Sequence, residues 1–374
     1  MFANNIFKKT NHDQILVDNL RLIRSENIGN KTFFDLIKIY KSAASALKAI
    51  PQLAKNGGRF SKINIYSLEQ AEQEIYDAQK IGAKFITYLD PLYPSELLHI
   101  DDAPPILTVL GNTELLKLTK IAIVGSRNAS ANGCKFAYNL AQDLGKANFA
   151  TVSGLARGID SFVHKGSVNS GTIAVIAGGI DNIYPLENKD LYLTLAKSGL
   201  IIAELPYGTK PCGKNFPQRN RIISGLSRAV AIIEATFGSG SLITARMALN
   251  QNREVFAMPG FPLDPRSQGT NNLIKQGASI LLDAQDIIEQ ISEFKLNESN
   301  IKEFELQNYN DINDSEIEEA RKIIKSLLTS SPISVEELIN LCNYNISVVL
   351  TVILELELAG KIERHPGNKV CLIY

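Results

Sequence analysis

Between Lys214 and Arg221 the chain places a lysine, a phenylalanine, two arginines and two asparagines within eight residues. Lys214, Phe216, Arg219, Asn220 and Arg221 are followed by the apolar Ile222, Ile223 and Leu226. Guanidinium forks and an ammonium group suit phosphate oxygens, and an aromatic ring suits the face of a flat base. The chemistry this points to is binding of a ligand that carries both. A second reading of Arg219 and Arg221 stays open at this level: a structural ion pair with Glu204 or Glu234.

The same chemistry recurs in loops that follow short apolar runs. Gly125-Ser126-Arg127 follows Ile121–Val124, and Ser153-Gly154 follows Phe149–Val152, with Gly158 and Asp160 just beyond. Gly178-Gly179 and Tyr184-Pro185 come after Thr172–Ile176. Gly238-Ser239-Gly240-Ser241 follows Ala229–Ile233 and runs directly into a helical pattern at 242–250. Glycine and serine at a helix start offer N–H groups, hydroxyls and the positive dipole end to an anion. None of these loops is a Gly-x-x-x-x-Gly-Lys-Ser/Thr or a Gly-x-Gly-x-x-Gly motif.

What must position these loops is a parallel sheet. The runs above, with Leu200–Ala203, Glu254–Ala257 and Ser279–Leu282, are short, β-branched and without alternation, and helical segments separate most of them. Strands buried on both faces with helical crossovers predict a Rossmann-like, doubly wound α/β core, whose ligands lie beyond the strands' carboxyl ends. Strands at 84–88 and 106–111 lead into it. Residues 1–66 read as a helical module of the sterile-alpha-motif or helix-hairpin-helix kind, with a Gly29 turn, and the core with its lead-in strands as 67–292. The polar, acidic stretch 293–314 reads as a linker, and 315–374 as three helices and a hairpin, a winged helix. Its third helix carries Glu355 and Glu357 and no Lys or Arg, which favours packing or protein contact over DNA reading.

Composition narrows the rest. The 374 residues carry 39 basic and 39 acidic side chains, yet 115–291 holds 18 against 12, a local excess of 6. A basic core in a neutral chain suits an anionic ligand held locally. There is no apolar run long enough for a membrane span and no signal-peptide pattern, so the expected location is the cytoplasm. The 4 cysteines and 4 histidines are scattered, so neither a metal site nor a cofactor is expected. Asp160, Asp181, Glu204 and Glu234 are available acids, but none pairs with another at a defensible spacing, and His164 has no evident partner. That favours a binding protein over an enzyme.

The motifs as a set resemble the DNA-processing protein A family, also called Smf. They are Val124–Arg127, Ser153–Asp160, Tyr184-Pro185 with Asn188, Phe216–Ser227, Ser239–Ala245, Arg253–Gly260 and Gly269–Ile274, in order along 121–283. The resemblance implies a single-stranded DNA-binding recombination mediator. Such a protein acts in natural transformation, shields incoming strands, loads the RecA recombinase and forms a homodimer through its core. It implies no catalysis. Arg127 and a lysine of the loop before Phe216 are then phosphate contacts, and Phe216 a stacking platform. Gly125, Ser126, Ser153, Gly154, Arg219, Asn220, Arg221, Ser239, Gly240 and Ser241 complete the expected site. Two positions depart from the family pattern. Leu186 replaces a basic residue after Tyr-Pro, and Gly213 replaces the loop lysine, with Lys214 and Lys210 nearby. The alternative is a Rossmann-like nucleotide phosphoribohydrolase, whose Pro-Gly-Gly-x-Gly-Thr signature is missing at Gly238–Ser241.

Overall fold

The computed structural model describes residues 11–297, 314–365 and 367–373, so most of the linker expected at 293–314 lies outside it. The chain forms two compact units: Glu74–Lys302, and Met1–Gln73 together with Glu303–Tyr374. In chain order the first elements are α1 (Asn11–Arg24), α2 (Asn30–Tyr40), α3 (Ala43–Asn56) and α4 (Leu68–Lys80). Next come β1 (Lys84–Thr87), α5 (Ser95–Leu98), β2 (Ile106–Gly111), β3 (Lys120–Gly125), α6 (Ala131–Lys146), β4 (Ala150–Ser153) and α7 (Ile159–Ser167). They are followed by β5 (Thr172–Val175), α8 (Lys189–Ser198), β6 (Leu200–Ala203), α9 (Asn215–Gly225), β7 (Ala229–Ile233) and α10 (Gly240–Asn250). The core ends with β8 (Glu254–Ala257), α11 (Pro265–Lys275), β9 (Ser279–Ile280) and α12 (Ala284–Asn297).

One nine-stranded sheet runs through the larger unit in the order β1-β2-β6-β5-β4-β3-β7-β8-β9. From β6 to β9 every pairing is parallel, and β2 and β1 add antiparallel at the β6 edge. The fold is therefore mixed α/β with a mainly parallel sheet. All five residues of β7 are fully buried, as an apolar strand covered on both faces must be. Ile121, Ile123, Ala231 and Ile233 pack against Leu140 and Leu144 of α6 and Val163 of α7. Burial of each isoleucine, leucine or valine side chain here contributes about 1.5–3 kcal/mol. The chain winds outward from β3 to β6, then returns to lay β7 on the other side of β3. This reversal decides which loops meet.

The second unit joins the two ends of the chain. It holds α1–α3 with α13 (Asp314–Leu327), β10 (Ile333–Ser334), α14 (Val335–Cys342), α15 (Ile346–Leu358), β11 (Ile362–His365) and β12 (Lys369–Leu372). Strands β10-β12-β11 make the small antiparallel sheet of a winged helix. Helix α15 places Val349, Val352, Ile353 and Leu356 in the winged-helix core. Its acidic residues face α1–α3. The Glu355 carboxylate is buried, accepts from Arg321 at 2.8 and 3.1 Å, and also accepts from Asn56 Nδ2 at 3.0 Å. Arg364 bridges Glu357 at 2.9 Å and Asp35 at 3.0 Å. The helix that a DNA-reading winged helix lays in a groove is here a packing surface. Its two glutamates are explained by cations and amides inside this unit.

Candidate functional site

A cavity of about 430 Å³ opens at the carboxyl ends of β3, β4, β5 and β6, within the size range of small-ligand sites. Each strand end contributes a loop. Arg127 follows β3, and Gly154, Ala156 and Arg157 follow β4. Gly178, Asn182, Tyr184, Leu186 and Glu187 follow β5. Pro211 and the α9 residues Phe216 and Arg219 follow β6.

The floor is a buried arginine with a buried carboxylate near it. Arg219 is 6% exposed and donates through Nη1 to Gly154 O at 2.7 Å and to Val175 O. Asp160 lies beneath it at the first turn of α7 and accepts from the N–H groups of Gly154 at 3.1 Å and Ala156 at 3.3 Å. Burial raises the Asp160 carboxyl above its ordinary value, while Arg219 and these N–H groups pull it back. Burial lowers the Arg219 guanidinium to about 10, which keeps it charged at neutral pH. Gly154 has to be glycine here. A Cβ would stand 2.7 Å from both Arg219 Nη2 and Asp160 Oδ2. Leu155 takes φ +55, a strained value for a branched side chain, and Asn188 Nδ2 holds that turn by donating to Leu155 O at 2.9 Å and Ala156 O at 3.1 Å.

The mouth is aromatic and cationic. Tyr184 and Phe216 lie 5.5 Å apart between ring centroids, tilted by 56°. The exposed Arg127 guanidinium sits 5.1 Å over the Phe216 ring and has no carboxylate partner among the described residues. A cation over a ring beside a second ring can take a phosphate on one side and a base on the other.

Not every expected residue reaches the cavity. Arg127, Gly154, Phe216 and Arg219 line it. Gly125 and Ser126 build the turn beneath: a Cβ on Gly125 would overlap Ile233 O, and Ser126 Oγ accepts from Asn128 N–H at 3.1 Å. Ser153 Oγ is buried and donates to Ile123 O at 2.7 Å. Lys214 is exposed at the N-cap of α9, outside the lining. Arg221 is corrected outright. It is buried between Asp102, at 2.9 Å, and Glu204, so the structural ion pair holds for it with Glu204. One residue turns a helix by about 100°, which aims Arg219 and Arg221 to opposite sides of α9.

Ser239, Gly240 and Ser241 stand apart from this cavity. They follow β7, across β3 from the cavity, and do not line it. Ser239 Oγ meets Ser241 Oγ at 2.9 Å, and Asn220 Nδ2 reaches Gly240 O at 3.4 Å, so Asn220 ties this loop to α9. The cavity walls are built by Ala156-Arg157 and by residues within 176–187. Tyr184, Asn182 and Leu186 were outside the expected set. Their signal was present in Gly178-Gly179 and Tyr184-Pro185 after a strand, but a tyrosine lacks the charge that drew attention to the arginines. Glu234 is also accounted for: at φ +52 it accepts from Ser130 N–H at 2.8 Å and from Ser130 Oγ, holding the residue that caps α6. Among the described residues no cluster of His, Cys, Asp and Glu is placed to hold a metal ion, and no helix is long and apolar enough to cross a membrane.

Fold and site together define a doubly wound α/β protein whose cavity joins cations to aromatic rings at the sheet's carboxyl edge. The chain belongs to the DNA recombination-mediator protein A family, whose model matches residues 84–292. A DprA-like N-terminal HHH domain matches residues 13–76 and a DprA winged helix domain residues 313–368. It is 33% identical over 326 residues to protein Smf of Synechocystis, covering 79% of this chain and 82% of that one. It is 46% identical over 215 residues to the DNA processing protein DprA of Bacillus subtilis, covering 57% of this chain and 72% of that one. The solved DNA processing protein A of Streptococcus pneumoniae superposes with a TM-score of 0.62 at 33% identity, over 76% of this chain and 99% of that one. That of Helicobacter pylori, described for its single-stranded DNA binding mode, gives 0.53 at 29% identity, over 57% of this chain and 97% of that one.

Proposed function

We propose that this DNA-processing protein binds single-stranded DNA in the β3–β6 cavity without reading its sequence. The observation that carries this reading is Arg127, a cation without a carboxylate partner among the described residues, held over Phe216 at the mouth of a cavity floored by Arg219. The backbone phosphate meets Arg127, and a base enters between Tyr184, Phe216 and the 176–178 backbone. Lys210 and Lys214, exposed on the segment before Phe216, extend the phosphate path. In this reading the protein is a recombination mediator in natural transformation. It protects incoming strands, delivers them to a RecA-type recombinase in the cytoplasm, and catalyses no reaction itself. It acts as a homodimer through the core, where the two-residue edge strand β9 leaves Ile280 and Leu282 exposed for a second copy to cover.

Fluorescence anisotropy with labelled oligo-dT tests the pocket. Arg127→Ala should weaken binding and flatten the slope of log K against log salt by about 0.7, the loss of one phosphate contact on a single strand. Phe216→Ala should cost about 1–3 kcal/mol with the slope retained. Equal affinity of Arg127→Ala and wild type at low salt would remove the assignment. The phosphoribohydrolase reading has one acid in the cavity lining, the exposed Glu187, 3.9 Å from Arg157, and among the described residues none on the cavity floor that is free of partners. Asp160 is buried and committed to two N–H groups, and Glu234 to the Ser130 cap of α6.

A further inference from the structure

The cavity's β5 wall and β6 wall come from neighbouring strands, but past the strand ends no ladder joins them. The segment 205–214 leaves β6, crosses the end of β5 and starts α9, so its path sets where Phe216 and Arg219 stand. One side chain fastens it. Asp181 Oδ1 accepts the Gly208 N–H at 2.7 Å, and Oδ2 accepts Asn182 Nδ2 at 2.9 Å. Gly179 N–H donates to Thr209 O at 2.8 Å beside it. The two walls touch through backbone. A Cβ on Gly179 would stand 2.5 Å from Pro206 O, and one on Gly178 3.0 Å from Thr209 O. Gly208 itself takes φ +80, which turns its N–H towards the carboxylate at no steric cost.

A carboxylate near an anion site works against the ligand unless its charge is spent elsewhere. Asp181 is outside the cavity lining, while its neighbour Asn182, which it holds, is inside. We propose that Asp181 is a positioning residue: it pins the 205–214 segment to the β5 wall through Gly208 and presets Asn182, Pro211 and Phe216 for a single strand. The proposal rests on the DNA-binding reading given above. Its consequence is that the pocket is formed before DNA arrives, and that binding is sensitive to a residue that touches no DNA.

The test measures oligo-dT affinity of wild type, Asp181→Ala, Asp181→Asn and Arg127→Ala, with thermal unfolding of each and amide hydrogen exchange of Gly208. Loss of a charge-assisted hydrogen bond predicts about tenfold weaker binding for Asp181→Ala. Asp181→Asn keeps an oxygen acceptor for the Gly208 N–H and should stay within about threefold of wild type. The Gly208 amide should be protected in free wild type and exposed in Asp181→Ala. Wild-type affinity in Asp181→Ala, an equal loss in Asp181→Asn, or an unprotected Gly208 amide in wild type would each overturn the proposal. Should Asp181→Ala fail to fold, Asp181→Asn and the wild-type amide still decide. If Arg127→Ala also binds as wild type, the pocket reading falls; if it alone binds weakly, only the role of Asp181 falls.

Discussion

Arg219 and Arg221 show how much two positions on one helix can differ. Both are buried, but Arg219 bonds backbone carbonyls at the strand ends and faces the cavity, whereas Arg221 sits between Asp102 and Glu204. Arg221→Ala should therefore lower stability and leave the salt slope of DNA binding unchanged. Breaking a fully buried pair costs roughly 3–5 kcal/mol, and half-exposed Asp102 reduces this to about 2–3, measurable by urea unfolding. His164 gives a prediction in pH. It is fully buried, with Nδ1 2.7 Å from Thr172 Oγ1, and burial lowers it from 6.5 to about 3. Below pH 6.5 the unfolded chain takes up a proton that the folded chain refuses until about pH 3. The stability present above 6.5 is therefore lost as pH falls through that window, at up to about 1.4 kcal/mol per pH unit. Unfolding free energies of wild type and His164→Gln between pH 7 and 5 should converge by an amount of that order.

At the scale of elements, α15 and the Gly57 turn explain one another. An ideal Cβ on Gly57 would lie 2.0 Å from Glu355 O, so the turn after α3 accepts only glycine while α15 is docked. Gly57→Ala should cost several kcal/mol, as overpacking against backbone does, and lower the thermal midpoint of the unit that holds both chain ends. The acidic third helix was legible as a packing surface. What it packs against was not, because no local pattern in the sequence says that residues near 355 and residues near 57 are neighbours. The core strands were legible for the opposite reason: an apolar run between helices carries its own evidence of burial. The Ser239–Ser241 loop marks the boundary between the two cases. Its composition suits an anion site, but its place depends on β7 lying across β3.

Taken whole, the molecule separates the chemistry from the chain ends. The cavity lies in Glu74–Lys302, and the N-terminal helices and winged helix form the other unit. Glu355→Ala leaves Arg321 and Asn56 without their acceptor, so it should destabilise the second unit by about 3 kcal/mol or more, while oligo-dT affinity stays within about twofold. Calorimetry and anisotropy on the same variant check both halves of that statement.

Residue types and their order determined the sheet, the helices, the family and four of the cavity's residues: Arg127, Gly154, Phe216 and Arg219. These follow from local rules, since burial leaves apolar runs, glycine marks close approach, and cations and rings stand out by their own chemistry. Tertiary structure alone decided that Arg221 turns inward to Asp102 and Glu204, that 176–187 rather than 239–241 walls the cavity, that Asp181 spans two loops, and that α15 closes on α3. Each of these depends on which distant segments the strand order brings together, and strand order is set by the packing of the whole sheet rather than by any stretch of it.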